Sequence, residues 1–132
     1  MGPEEKRVLI VDDDQDFVEV VAGFLEVNHY AVLKAYSGAE GVSLAKLERP
    51  HLILMDVMMN ERTEGFFAIQ EIRRTPELKG VPIFVVSALC GRLPDLQIPE
   101  GGSWLAHDLF LPKPVDMEHL IEKVRQRIGT AA

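Results

Sequence analysis

The chain reads as an α/β protein built on a parallel sheet, with five apolar strand segments alternating with helical ones. Two observations carry that reading. Val8-Leu9-Ile10-Val11 and Leu52-Ile53-Leu54-Met55 are continuously apolar, the pattern of strands buried on both faces rather than on one. The first, third and fourth strand segments stop at Asp12, Asp56 and Ser87, and amphipathic segments fill most intervals between strands.

The first strand, from Val8 to Val11, ends at Asp12-Asp13-Asp14. Phe17, Val20, Val21, Phe24 and Leu25 then recur at helical spacing, which predicts an amphipathic helix that Asp14 caps and Asn28-His29 close. Tyr30 to Ala35 is a second strand, and its Lys34 suits a sheet edge. Ser37 with Glu40 three residues on forms a capping box, and Val42, Leu44, Ala45 and Leu47 give the second helix its apolar side up to Pro50. The third strand, Leu52 to Met55, ends at Asp56. A polar loop over residues 60–65 precedes a helix with Phe66, Ile69 and Ile72 on its buried side, broken near Thr75-Pro76. In Val81-Pro82-Ile83-Phe84-Val85-Val86 the proline sits at the strand start, where its missing donor is tolerated, and Ser87 marks the end. Between Cys90 and Gly102, Pro94, Pro99 and three glycines leave room for a short or irregular helix only. Leu109-Phe110-Leu111 is the fifth strand, stopped by Pro112-Lys113-Pro114, and Leu120, Ile121, Val124 and Ile128 line the last helix.

The totals limit the functions available. A chain of 132 residues is one domain, able to bury about two thirds of its unfolded surface. Twenty-one acidic against 14 basic residues, a net charge of −7, oppose direct binding to nucleic acid or to an anionic membrane. The one cysteine, Cys90, permits neither a disulfide framework nor a cysteine zinc site and fits a reducing compartment, the cytoplasm. The first residues lack the apolar core of a signal peptide, Lys6 breaks a myristoylation pattern, and no apolar run approaches the ~20 residues of a membrane span. His29, His51, His107 and His119 lack ligand spacing and are assigned to surface or packing roles.

In an open parallel sheet the ligand site lies outside the carboxyl ends of the strands. Asp12 and Asp13 follow strand one, Asp56 strand three, Ser87 strand four and Lys113 strand five, so dispersed residues meet at one edge. Three carboxylates brought together raise one another's pKa unless a cation neutralises them. Magnesium suits the task, with Asp13 and Asp56 as direct ligands, Asp12 direct or through water, and a backbone carbonyl just past Asp56. An ionised Asp56 is a nucleophile toward phosphorus, forming an acyl phosphate. The Lys113 ammonium would neutralise phosphoryl oxygens and the Ser87 hydroxyl would donate to one of them.

Val-Leu-Ile-Val-Asp-Asp-Asp at the start, Leu-Ile-Leu-Met-Asp-Val-Met-Met in the middle, Val-Val-Ser-Ala later and Leu-Pro-Lys-Pro near the end together resemble the receiver domain of two-component response regulators. The resemblance covers residues 6–128, leaving 1–5 and 129–132 as flexible termini. It implies a flavodoxin-like (βα)5 three-layer sandwich with strand order 2-1-3-4-5, an irregular or shortened fourth helix, and a cis Lys113-Pro114 bond. It implies Asp56 as phosphoacceptor, Asp12 and Asp13 as the acidic pair, and Met58 as the ligand through its backbone carbonyl. Ser87 is the switch hydroxyl, Lys113 the lysine of the site, and Phe110 the aromatic switch, able to swing but not to hydrogen-bond. The implied cofactor is Mg2+, and the implied donor is a sensor histidine kinase or a phosphotransfer protein acting on an unnamed downstream protein. Such a domain phosphorylates and dephosphorylates itself but is not otherwise an enzyme. Asn60 stands where the family has proline, Gly65 comes one residue late, and the stretch from Ser87 to Lys113 is longer than usual. The longer stretch alters the fourth helix, which contributes to the face through which receivers signal.

Two other readings compete. A haloacid-dehalogenase-type phosphatase also uses an aspartyl phosphate, magnesium, a serine and a lysine, and Asp12-x-Asp14 fits its nucleophile motif while leaving Asp56 unexplained. A phosphorylation-independent interaction domain is the other, suggested by the irregular stretch of residues 90–108.

Overall fold

Apolar runs at Arg7–Val11, Ala31–Ala35, Leu52–Met55, Ile83–Ser87 and Leu109–Pro112 form strands β1 to β5 of one sheet, ordered β2-β1-β3-β4-β5 with every neighbouring pair parallel. The computed structural model describes residues 5–57, 64–87 and 109–130, with Glu64 and Ser87 described in their backbone only. Helices α1 (Gln15–Val27), α2 (Gly38–Glu48) and α3 (Glu64–Arg74) carry the first three crossovers, with a 3-10 turn at Pro76–Leu78, and α4 (Met117–Ile128) follows β5. The strand order is the expected one. The expected irregular fourth helix, between β4 and β5, lies outside the described residues.

Strand alternation divides the core into two layers around the sheet. Leu9, Val11, Ile53, Met55, Ile83 and Val85 face α2 and α3, where Ala45, Phe66, Ile69 and Ile72 meet them. Val8, Ile10, Leu52, Leu54, Phe84 and Val86 face α1 and α4, packing on Val18, Leu25, Leu120 and Val124. Three layers result, and β2 lies at one edge as Lys34 indicated.

Local chemistry explains where the elements begin. The Asp14 carboxylate accepts the Phe17 N–H at 3.1 Å and starts α1. Ser37 Oγ accepts the Glu40 N–H, and the Glu40 carboxylate reaches back to the N–H of Tyr36, one residue before the cap, at 2.8 Å, a variant of the expected capping box. Asn28 caps the end of α1, and His29 follows it with φ 74°, a left-handed residue that turns the chain toward β2. Arg73 draws the carbonyls of Lys79 and Val81 together at 2.9 and 2.7 Å, fixing the approach to β4.

Two helix faces depart from expectation. On α1 the buried residues are Val18, Val21, Ala22 and Leu25, while Val20 and Phe24 are 51% and 44% exposed. Apolar residues stand on nearly every side of this helix, so spacing alone admits two faces, and packing selects the one with small Ala22. On α2 the buried positions are Gly38, Gly41 and Ala45, and Leu47 is exposed. A Cβ at Gly41 would lie 2.7 Å from Val11 Cγ2, so this helix rests on β1 by its small residues and Leu47 falls outside.

Candidate functional site

The sheet ladder holds the two central acids. The Asp12 N–H donates to the Ala35 carbonyl at 3.1 Å, and the Asp56 N–H donates to the Val11 carbonyl at 3.0 Å. Both backbones therefore continue the hydrogen bonding of β1 and β3 one residue past the strand ends. Asp12 and Asp56 are 1% and 5% exposed, a location that is costly for a carboxylate unless it is paired. Asp12 Oδ1 accepts the Asp14 N–H at 2.9 Å, a turn that leads directly into α1.

Lys113, just past β5 and joined by a cis bond to Pro114, supplies the counter-charge. Its Nζ donates to Asp12 Oδ2 at 2.7 Å and to Asp56 Oδ2 at 3.5 Å. Burial works against its charge, but the Asp12 hydrogen bond and the Asp56 and Asp12 charges outweigh burial and hold the Lys113 pKa above its ordinary value. The ammonium also lies 4.3 Å from the centroid of the Phe17 ring, which α1 presents from its first turn.

Oxygen atoms of Asp12, Asp13 and Asp56 lie within 4.8 Å of one another, within reach of a single ion. All three donors are hard carboxylate oxygens, two of them on buried side chains, and this chemistry fits Mg2+. One side of the pocket is fixed by close backbone packing. The Gly65 N–H donates to the Val57 carbonyl at 3.2 Å, and a Cβ at Gly65 would overlap the Asp56 carbonyl oxygen and the Val57 Cα. The start of α3 thus rests on the backbone that carries Asp56, and only a residue without a side chain allows that approach.

Of the residues singled out in the sequence, Asp12, Asp13, Asp56 and Lys113 come together. Ser87 is placed by its backbone at the end of β4, opposite Pro112 of β5. Phe110 pairs with Val85 and packs, partly buried, against the α2 and α3 side of the core. Met58, Asn60 and the stretch of residues 90–108 lie outside the described residues. Sequence reasoning assigned Phe17 only to the core; its contact with Lys113 depends on two elements that are distant in sequence, and the one local signal was an aromatic beside the Asp14 cap. His51 has a packing role, its Nδ1 accepting the Arg7 N–H at 3.0 Å.

A doubly wound parallel sheet that gathers three carboxylates and a lysine outside its carboxyl edge defines a flavodoxin-like α/β protein with an acidic pocket at its switch point that could hold a hard cation. Comparison with known proteins makes this specific: the chain belongs to the response regulator receiver domain family, whose profile matches residues 8–125. It is 34% identical over 120 residues to the DNA-binding dual master transcriptional regulator RpaA of Synechocystis sp., covering 90% of this chain and 47% of that protein. It is 33% identical over 118 residues to Protein PilH of Pseudomonas aeruginosa, covering 89% of this chain and 93% of PilH. The solved structure of chemotaxis protein CheY4 of Vibrio cholerae superimposes with a TM-score of 0.80 at 26% identity, covering 93% of this chain and 98% of that one. The chain thus spans about half of RpaA but nearly the whole of PilH and CheY4. Receivers are signalling phosphoacceptor domains, so family membership favours that class over the phosphatase reading. Among the described residues no helix is long and apolar enough to cross a membrane.

Proposed function

We propose that residues 6–128 form a phosphorylation-controlled switch in which Asp56 accepts a phosphoryl group from a sensor histidine kinase or a phosphotransfer protein. The observation that carries this reading is the Lys113 ammonium spanning Asp12 Oδ2 at 2.7 Å and Asp56 Oδ2 at 3.5 Å in a pocket shared with Asp13. A buried carboxylate beside a lysine ammonium is placed to act as a nucleophile with its counter-charge already present.

In this reading an Asp56 carboxylate oxygen attacks phosphorus in line with the donor imidazole nitrogen. The new P–O bond forms as the P–N bond breaks, and the electron pair returns to the imidazole, which leaves as the free ring of the donor histidine. Lys113 exchanges its Asp56 contact for a phosphoryl oxygen, and the Ser87 hydroxyl donates to another. Asp12, Asp13, Asp56 and the Met58 carbonyl would hold Mg2+, which when bound neutralises charge on the phosphoryl oxygens. Water attacking the phosphorus of the acyl phosphate breaks the bond to the Asp56 oxygen, releases inorganic phosphate and restores the carboxylate, so the domain turns itself over but processes no other substrate.

Ser87 and Phe110 follow the phosphoryl group inward, and the ends of β4 and β5 reshape a surface read by a downstream protein. The net charge of −7 argues against direct contact with nucleic acid. In this reading the reaction takes place in the cytoplasm, in keeping with the single cysteine. The test is incubation with acetyl phosphate and magnesium followed by intact mass measurement. The wild type gains one phosphoryl group and Asp56→Asn gains none; equal gain by both proteins would refute Asp56 as the acceptor.

A further inference from the structure

Lys113 has three contacts among the described residues: Asp12, Asp56 and the Phe17 ring. Two of these are carboxylates of the metal-fitting cluster. A cation bound there competes with the ammonium for the same oxygens, because each oxygen's negative charge is shared between the two. The ring face holds no lone pair that a hard metal ion would take, and its attraction for an ammonium comes from its quadrupole. Phe17 is therefore the one described contact of Lys113 that metal loading leaves undisturbed.

We propose that Phe17 is a positioning residue for the phosphoryl transfer, holding the Lys113 ammonium beside Asp56 once the metal has taken the carboxylates. The inference rests on the phosphoacceptor reading of Asp56. The geometry suits the role. Phe17 stands in the first turn of α1, fixed by its N–H to Asp14, and the turn continues into Asp12 through the Asp14 N–H. The ring and the carboxylate that share Lys113 are thus set by one rigid stretch of backbone. Phe17 is partly buried and packs against the α1 and α4 side of the core, so its ring is held in place. Without the ring, a lysine displaced from Asp12 is free to extend into water, and transfer then awaits its return.

A packing role and a quadrupole role are separated by fluorinating the ring, which preserves its shape while draining negative charge from its face. With phenylalanine at position 17 replaced by mono-, di- and trifluorinated analogues, the rate of phosphorylation by acetyl phosphate at saturating magnesium should fall stepwise. The total fall should be about two- to five-fold, the range of a cation–π contact. Phe17→Leu should match the most fluorinated protein and Phe17→Trp should match or exceed the wild type. A second readout requires no phosphorylation. The ring current of Phe17 should shift the Lys113 ε-methylene protons upfield, and that shift should persist when magnesium saturates the protein. A rate indifferent to fluorination, or a ring shift that vanishes at saturating magnesium, overturns the role of Phe17. A wild type that takes no phosphoryl group while keeping its ring shift overturns the proposed function and supports the placement of the lysine.

Discussion

Lys113 is the residue on which the pocket balances. Its ammonium is the described cation that bridges Asp12 and Asp56, so removing it leaves two buried carboxylates facing each other across a drier medium than water. Lys113→Ala should lower stability by about 1–3 kcal/mol, the cost of a buried charged group that loses its hydrogen-bond partner. Urea denaturation would measure the loss, and magnesium should restore part of it by binding the freed carboxylates. Equal stability of the two proteins without magnesium would mean that water already screens the pair. The four charged residues of the pocket were legible in the sequence because each ends or follows a strand, and a parallel sheet gathers such positions at one edge. Phe17 was not legible as a partner of Lys113, because a ring that serves the core and a ring that faces an ammonium have the same spacing along α1.

At the scale of elements, helices α1 and α3 show how differently one glycine can act. A Cβ at Gly23 in α1 meets nothing within 4 Å, whereas at Gly65 in α3 it meets the Asp56 and Val57 backbone. Gly23→Ala should therefore stabilise the protein by about 0.5–1 kcal/mol through helix propensity. Gly65→Ala should destabilise it by about 1–3 kcal/mol by overpacking and should also slow phosphorylation by shifting Asp56. Thermal denaturation of the pair decides this, and a neutral Gly65→Ala would contradict the close packing. The junction of β1 with the end of α2 carries a pH dependence. Burial, then the charges of Arg7 and Lys6, hold the His51 pKa below its ordinary value, and its neutral Nδ1 accepts the Arg7 N–H. The unfolded chain then binds more protons than the folded one near and below the ordinary histidine pKa of about 6.5. His51 thus contributes stability that is present above that pH and is lost as pH falls through its folded pKa. His51→Asn, which keeps an acceptor near the Nδ1 position, should flatten the stability profile between about pH 5 and 7 relative to the wild type. An unchanged profile would remove His51 as its source. Element order and type were legible from apolar runs and caps, but helix faces were less so. On α2 the spacing of Gly38, Gly41 and Ala45 marked the close contact with the sheet better than its leucines did, since Leu47 is exposed.

The whole molecule joins two well-packed layers to a pocket whose charges oppose one another. Apolar residues on both faces of the sheet supply the stability, and the carboxyl edge carries a repulsion among carboxylates that a bound cation would relieve. The order β2-β1-β3-β4-β5 makes this possible by setting β1 and β3 side by side, so that Asp12 and Asp56 emerge together with Lys113 reaching in from β5. That arrangement separates the phosphoacceptor role from a phosphatase role, because the two assign the nucleophile to different carboxylates of one pocket. An acyl phosphate is reduced by borohydride to an alcohol, which marks the residue that carried it. After phosphorylation with acetyl phosphate and magnesium, reduction and peptide mapping should find the mark at Asp56 alone, and a mark at Asp12 with Asp56 unmodified would contradict the account.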